Sequence, residues 1–278
     1  MPKIAFYFFG QMRNTQACIP YFIKNVLNTC PYEYDIFIST WKNNLNQTNI
    51  DYLTSKLKPR IFELLDFDQI LDENKDYIKQ IEDASHVREV FYIRYSMLRN
   101  YENIIKYEKE NHQNYTHMFQ IRTDMLIYNP FPWETLDFNS DTIYVKNAVH
   151  VTNVDDEFTF AKKESMRVYV DFYKYLHIFD LEVFRTTFHM ITSSISIYLH
   201  FCKKTVSRIN LDYWLVRCFE TNGQYVFDLQ PRDNVVDLPQ HPYPELIQGL
   251  NTHGFVNWKV RECLFNRAFT GKEYRSHP

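Results

Sequence analysis

Residues 3–9 read Lys-Ile-Ala-Phe-Tyr-Phe-Phe, and this run restricts the fold more than any other feature of the chain. A strand alternates its side chains between two faces, and this one is apolar on both. Such a strand belongs inside a sheet that is covered on each side. It ends at a polar turn, Gly10-Gln11-Met12-Arg13-Asn14. A helix is expected over about 15–28, although Pro20 would fit best in a first turn. Residues 35–40 and 60–65 form two further short strands, with room for a helix between them. The alternation predicts an α/β class with a mostly parallel, Rossmann-like central sheet flanked by helices.

Farther on, residues 66–83 are acidic and read as an irregular surface excursion. A long helix is expected over about 86–110. Val87, Phe91, Arg94, Leu98, Tyr101 and Ile105 share one of its faces. Arg94 therefore lies on an apolar stripe, where it either snorkels to the edge or points into a cleft beside the sheet. Arg88 and Arg99 fall off the stripe and are expected in solvent. Residues 118–128 read as one buried strand with Arg122 and Asp124 in its middle. Gln120, Arg122 and Asp124 share a face by period two. Buried ionised groups need partners. Either these two pair with each other, or the strand end opens onto a site. Short strands follow at 142–146 and 158–161, with the acidic segment Asp155-Asp156-Glu157 between them. Residues 165–177, 211–221 and part of 183–201 read as helical, and 223–228 as a turn into a last strand. No repeat or linker interrupts the chain. One domain is expected over 1–278, with a wrapping tail (231–278).

Composition removes several classes of function. The net charge of the 278 residues is −3, which gives no global field toward nucleic acid or an anionic membrane. Apolar runs fall short of the roughly 20 residues that a membrane span needs. No signal peptide precedes Lys3, and the Asn-x-Thr matches at Asn46 and Asn114 are read as chance. Five scattered cysteines without Cys-x-x-Cys spacing form neither a zinc site nor a disulfide framework. A cytoplasmic, soluble protein is expected. Only five glycines occur, and Gly10 is the single one before residue 223. Dinucleotide-binding and P-loop phosphate loops need several, so those classes are set aside. A Gly-x-Ser-x-Gly nucleophile elbow is also absent from the sequence.

In an open α/β sheet, ligands bind beyond the carboxyl ends of the strands. The first strand delivers Gly10, Gln11 and Arg13 to that edge. The second delivers Ser39, Thr40 and Trp41, and the later one Arg122 and Asp124. Guanidinium forks suit phosphates, an aromatic plate suits a base, and a carboxylate with phosphate oxygens suits a divalent ion.

The Phe-Phe-Gly10-Gln11-Met-Arg13 turn, Asp-Ile-Phe-Ile-Ser-Thr-Trp41 and Ile121-Arg122-Thr-Asp124, in this order, resemble small nucleotide-sugar glycosyltransferases of the GT-A fold. Those are soluble enzymes of glycan synthesis in bacteria and large DNA viruses. The resemblance spans roughly 3–230 and implies a nucleotide-binding half (1–128) and an acceptor half (129–230). It implies transfer of a hexosyl or pentosyl group from a nucleoside diphosphate sugar to a hydroxyl of a glycan or glycoprotein acceptor. Asp124 matches the last acid of the family's Asp-x-Asp metal motif, and Arg122 stands where its first acid belongs. Manganese or magnesium would sit on Asp124 and the late His253. Gly10, Gln11, Arg13, Trp41, Arg94 and Arg122 would bind the donor. Asp156, Glu157 or Asp212 would serve as catalytic base; Asp212 is equally well placed to cap a helix. The departure from Asp-x-Asp keeps a second reading open, an inactive transferase-like protein that binds glycans.

Overall fold

The computed structural model describes residues 2–12, 15–42, 45–79, 87–123, 125–127, 129–146, 157–174, 198–199, 202–209, 213–221 and 224–229. The strands among them are β1 (Lys3–Gly10), β2 (Glu33–Trp41), β3 (Ile61–Leu65), β4 (His117–Arg122), β5 (Met125–Ile127), β6 (Ile143–Lys146), β7 (Phe158–Lys162), β8 (Val206–Ile209), β9 (Tyr213–Thr221) and β10 (Gln224–Leu229). The helices are α1 (Thr15–Phe22), α2 (Gln47–Leu57), α3 (Phe67–Glu73), α4 (Lys75–Lys79), α5 (Val87–Asn111) and α6 (Lys163–Asp171). The expected Arg13, Asp124, Asp156, Asp212 and His253, and the tail 231–278, lie outside the described residues.

Seven strands form the central sheet, in the order β3-β2-β1-β4-β7-β6-β8. β1, β2, β3 and β4 are mutually parallel, and β6 pairs parallel with β8. β7 runs antiparallel to both β4 and β6. The chain is thus mixed α/β with a flanked, mostly parallel sheet, as the opening alternation predicts. β1 is apolar on both faces because both are covered. Ala5, Tyr7 and Phe9 join Phe91, Met97 and Tyr101 of α5 and Tyr169 of α6 in one core cluster. Ile4, Phe6 and Phe8 join Phe22 of α1 and Leu53 and Leu57 of α2 in the other. Each such buried side chain contributes roughly 1.5–3 kcal/mol.

Four expectations change. Pro20 lies inside α1 rather than in its first turn, and the chain widens into a π-helical turn at Ile23–Leu27 directly afterwards. Proline lacks the N–H that a regular helix uses, and such bulges relieve the ladder. Residues 66–79 are not irregular: Asp66 caps α3 by accepting from the Asp68 and Gln69 amides. The run 118–128 is two strands in two sheets. β4 ends at Arg122, and β5 pairs with β9 in a small sheet ordered β10-β9-β5. The stretch 211–221, expected as a helix, carries the strand β9 instead. Its Tyr-Trp-Leu-Val-Arg-Cys-Phe-Glu-Thr sequence is rich in aromatic and β-branched residues, which favour strands. Helix capping by Asp212 is withdrawn with that helix. Among the described residues, no helix is long and apolar enough to cross a membrane.

Candidate functional site at the carboxyl edge of the sheet

The strand order turns back at β1, which has β2 on one side and β4 on the other. The carboxyl ends of β1 and β4 lie side by side at this switch point, where open α/β sheets bind ligands. Phe9 is paired with Arg122 in the ladder. Gly10 follows with φ +76°, a left-handed conformation that glycine adopts without steric cost. Its backbone is held on both sides. The Gly10 amide donates to Ser96 Oγ at 3.1 Å, and its carbonyl accepts from Thr40 Oγ1 at 2.7 Å. Asn100 fixes the strand below, donating to the Phe8 carbonyl at 2.9 Å. The exposed Gln11 accepts at its carbonyl from Thr123 Oγ1 at 3.4 Å. The turn after β1 and the exit from β4 are therefore joined directly.

Arg122 is half-buried at the end of β4. Its amide donates to the Glu157 carbonyl at 3.1 Å. The Glu157 carboxylate is buried and forms an ion pair with Lys146, which is fully buried at the end of β6. A base must be free to take a proton from substrate, and Glu157 is committed to a lysine, so its assignment as base is not kept. The sequence reading missed Lys146. Its signal was the alternation of Ile143, Tyr144, Val145 and Lys146, which places a charge at the last position of a strand buried on both faces.

Two expected donor-binding residues are elsewhere than at an open edge. Trp41 is 4% exposed. It packs against Phe67, Tyr92 and Tyr95, with ring centroids 6.0, 5.4 and 6.3 Å away. A base plate needs an open face, so Trp41 is read as core. Arg94 is 2% exposed and neither snorkels nor lines an open cleft. Tyr169 and Phe172 cover its guanidinium, with ring centroids at 5.3 and 5.8 Å. Ser39 faces away from the turn, donating to Glu63 and accepting from Asn103. Arg99 is not free in solvent but bridges Glu63 and Glu102.

Gly10, Gln11 and Arg122 are thus brought together, with Thr40, Ser96 and Thr123 as positioning groups. Among the described residues, no group of three His, Cys, Asp or Glu side chains stands ready for a metal ion. What the described edge offers is a guanidinium and hydrogen-bonding groups, which suit an anion.

No protein-family model matches the chain, and no curated protein matches it. Among solved structures, it is similar to apo mouse xyloside xylosyltransferase 1, at 9% identity and a TM-score of 0.42, over 75% of this chain and 85% of that one. It is also similar to a protein assigned as a nucleotide-diphospho-sugar transferase from Desulfovibrio desulfuricans G20, at 10% identity and a TM-score of 0.36, over 76% and 80% of the two chains. Likenesses this distant say nothing of activity.

Proposed function

We propose that the chain is a GT-A-type glycosyltransferase that moves a sugar from a nucleoside diphosphate donor to a hydroxyl of a glycan acceptor. One observation carries this reading: the Gly10–Met12 turn and the Arg122–Thr123 exit meet at the switch point of the sheet. These are the two motifs on which the resemblance to nucleotide-sugar transferases rests. Arg122, with Arg13 of the same turn, would hold the diphosphate. The departing diphosphate gains charge during transfer, and fixed cations aimed at that charge lower the barrier. Gly10 sets the direction of the turn, and Gln11 faces the ligand from its exposed position. Asp124 and His253 would hold manganese or magnesium, which would screen the diphosphate when bound. Asp156 would act as base on the acceptor hydroxyl.

Thermal unfolding with UDP and GDP, with and without manganese, tests the reading. A nucleotide at 100 times its Kd adds about 2.7 kcal/mol to the native state, a rise in Tm of about 5–10 °C for a chain of this size. Arg122→Gln is expected to remove most of the shift. If neither nucleotide shifts the wild type, the transferase reading falls and glycan binding without chemistry takes its place. If the shift and its manganese dependence survive Asp124→Ala, the metal assignment falls.

A further inference from the structure

A row of side chains crosses the face of the sheet that α5 and α6 cover. Ladder pairing runs Phe37–Tyr7–Gln120–Thr159–Val145 across five strands. Its centre is polar, and no part of it reaches solvent: Gln120 and Thr159 are both 0% exposed. The Tyr7 hydroxyl, held protonated by burial, donates to Gln120 Oε1 at 2.7 Å. That bond fixes the amide with its NH2 group turned away from Tyr7. Gln120 Nε2 then has no acceptor among the described residues, and neither Thr159 Oγ1 nor the Tyr169 hydroxyl has a partner there.

Arg94 lies over the same region. Its guanidinium sits against the Tyr169 ring and within electrostatic range of Tyr7. Its one hydrogen bond goes from Nη1 to Met97 Sδ at 3.3 Å, and its Nε has none. Among the described residues, no carboxylate pairs with it. Water can satisfy buried neutral donors, but it leaves a buried charge unbalanced, and that is costly. Aromatic faces offset part of that cost, about 2 kcal/mol or more when desolvated, without supplying a counter-charge.

We propose that Arg94, Gln120, Thr159 and Tyr169 frame an internal binding site for a small monovalent anion of the chloride class. The donor set fixes the sign: an amide NH2, two hydroxyls and a guanidinium can all donate, and none of them is an ionised acceptor. The charge is fixed by Arg94, the one cation among these four residues, since one negative charge balances it and a phosphate dianion exceeds it. Burial fixes the size. All four residues are within 2% of complete burial or below, so the ligand has no path for an attached nucleotide or sugar. The Lys146–Glu157 pair lies one residue step toward the carboxyl edge and is neutral in itself. The anion site would lie beneath Arg122, which follows Gln120 by two residues on the same face of β4. It does not depend on the transferase reading.

The test uses the wild-type chain without nucleotide. The protein is exchanged into sodium gluconate and titrated with sodium chloride or bromide at constant ionic strength, with thermal unfolding as readout. A saturable rise in Tm of about 5 °C or more is expected at 100-fold excess over the half-saturating halide. Crystals grown in bromide are expected to show an anomalous peak between Arg94 and Gln120. Gln120→Leu is expected to raise the half-saturating concentration at least tenfold, and Arg94→Met to abolish the halide dependence. Equal Tm in gluconate and chloride overturns the proposal. So does a site that holds only water, or a carboxylate of the chain found against Arg94. Because no nucleotide is present, failure here is separate from failure of the UDP and GDP experiment.

Discussion

Lys146→Met is the sharpest perturbation of the candidate site's support. The Lys146 side chain is 0% exposed and that of Glu157 8%. Exposed ion pairs contribute roughly 0.2–1 kcal/mol. Removing one partner from a buried pair costs about 3–5 kcal/mol, because the remaining charge stays desolvated and uncompensated. The burial on both sides puts Lys146→Met in the second range, a fall in Tm of about 10 °C. The double variant Lys146→Met/Glu157→Leu removes both charges. It is expected to recover most of the loss, since an apolar pair of similar volume often matches a buried ion pair. Urea denaturation of the wild type, both single variants and the double variant gives the coupling energy. Hydrogen exchange adds a local readout, because the Arg122 amide donates to the Glu157 carbonyl and is expected to lose protection in Lys146→Met. A single-variant loss below about 1 kcal/mol would refute the reasoning, as would a double variant no more stable than Lys146→Met.

Acid sensitivity is expected at the opposite edge, where Asp35 accepts from the Tyr115 hydroxyl at 2.7 Å, Lys3 Nζ at 2.9 Å and Arg60 Nε at 2.5 Å. Burial pushes the Asp35 carboxyl up, but Tyr115, Lys3 and Arg60 together hold it below its ordinary value. A depressed carboxyl pKa stabilises the fold above the unfolded value of about 3.9, and that stabilisation is lost as pH falls through the folded value. The gap in urea midpoint between wild type and Asp35→Asn is therefore expected to be full at pH 7 and to shrink below about pH 4; parallel curves down to acid would contradict this. Gly10→Ala meets nothing within 4 Å of its new Cβ, so its cost is backbone strain alone, about 1–2 kcal/mol. Gly10→Asn is expected to cost less in the same denaturation assay, and equal losses would show that the left-handed turn is not the cause.

The elements most legible in the sequence are those whose burial agrees with their local pattern. β1, β2 and β3 announce themselves as short apolar runs between turns, and α5 by its stripe from Val87 to Ile105. The break after Arg122 was hidden because apolar alternation resumes at Met125 and Ile127, as though one strand continued. What interrupts it is non-local: β9 takes up Met125–Ile127, and no spacing within 118–128 encodes a partner ninety residues away. The same holds for β9 itself, whose apolar residues fit a helix as well as a strand until β5 and β10 flank it. At the site, Arg122 was legible as a charge in an apolar setting. Lys146 also closes an apolar run, but its pairing was not legible, because its partner Glu157 lies eleven residues on, just before β7. Trp41 was misplaced because an aromatic residue at a strand end reads the same whether it faces a ligand or a neighbouring helix.

The scarcity of glycine and the use of arginine have one physical origin at this edge. Glycine-rich phosphate loops bind anions through free backbone amides at close range. Here the single glycine of the first two hundred residues supplies only the change of direction. Its amide is engaged by Ser96 and its carbonyl by Thr40, so its backbone has no donor left to offer a phosphate. On the proposed function, a diphosphate at this switch point would then be held by side chains, and the sequence sets Arg13 three residues after Gly10 and Arg122 across from Phe9. Exchanging amide recognition for guanidinium recognition makes binding depend on long side chains whose geometry must be fixed from outside. Around them Ser96 and Thr40 hold the Gly10 backbone, Thr123 holds the Gln11 carbonyl and Glu157 holds the Arg122 amide. Thr40→Val is accordingly expected to weaken UDP binding by about tenfold, the equivalent of 1.4 kcal/mol, through loss of the 2.7 Å bond to Gly10. Calorimetric titration of UDP into the variant measures it, and an unchanged Kd in a folded protein would show that the turn holds its shape without this bond.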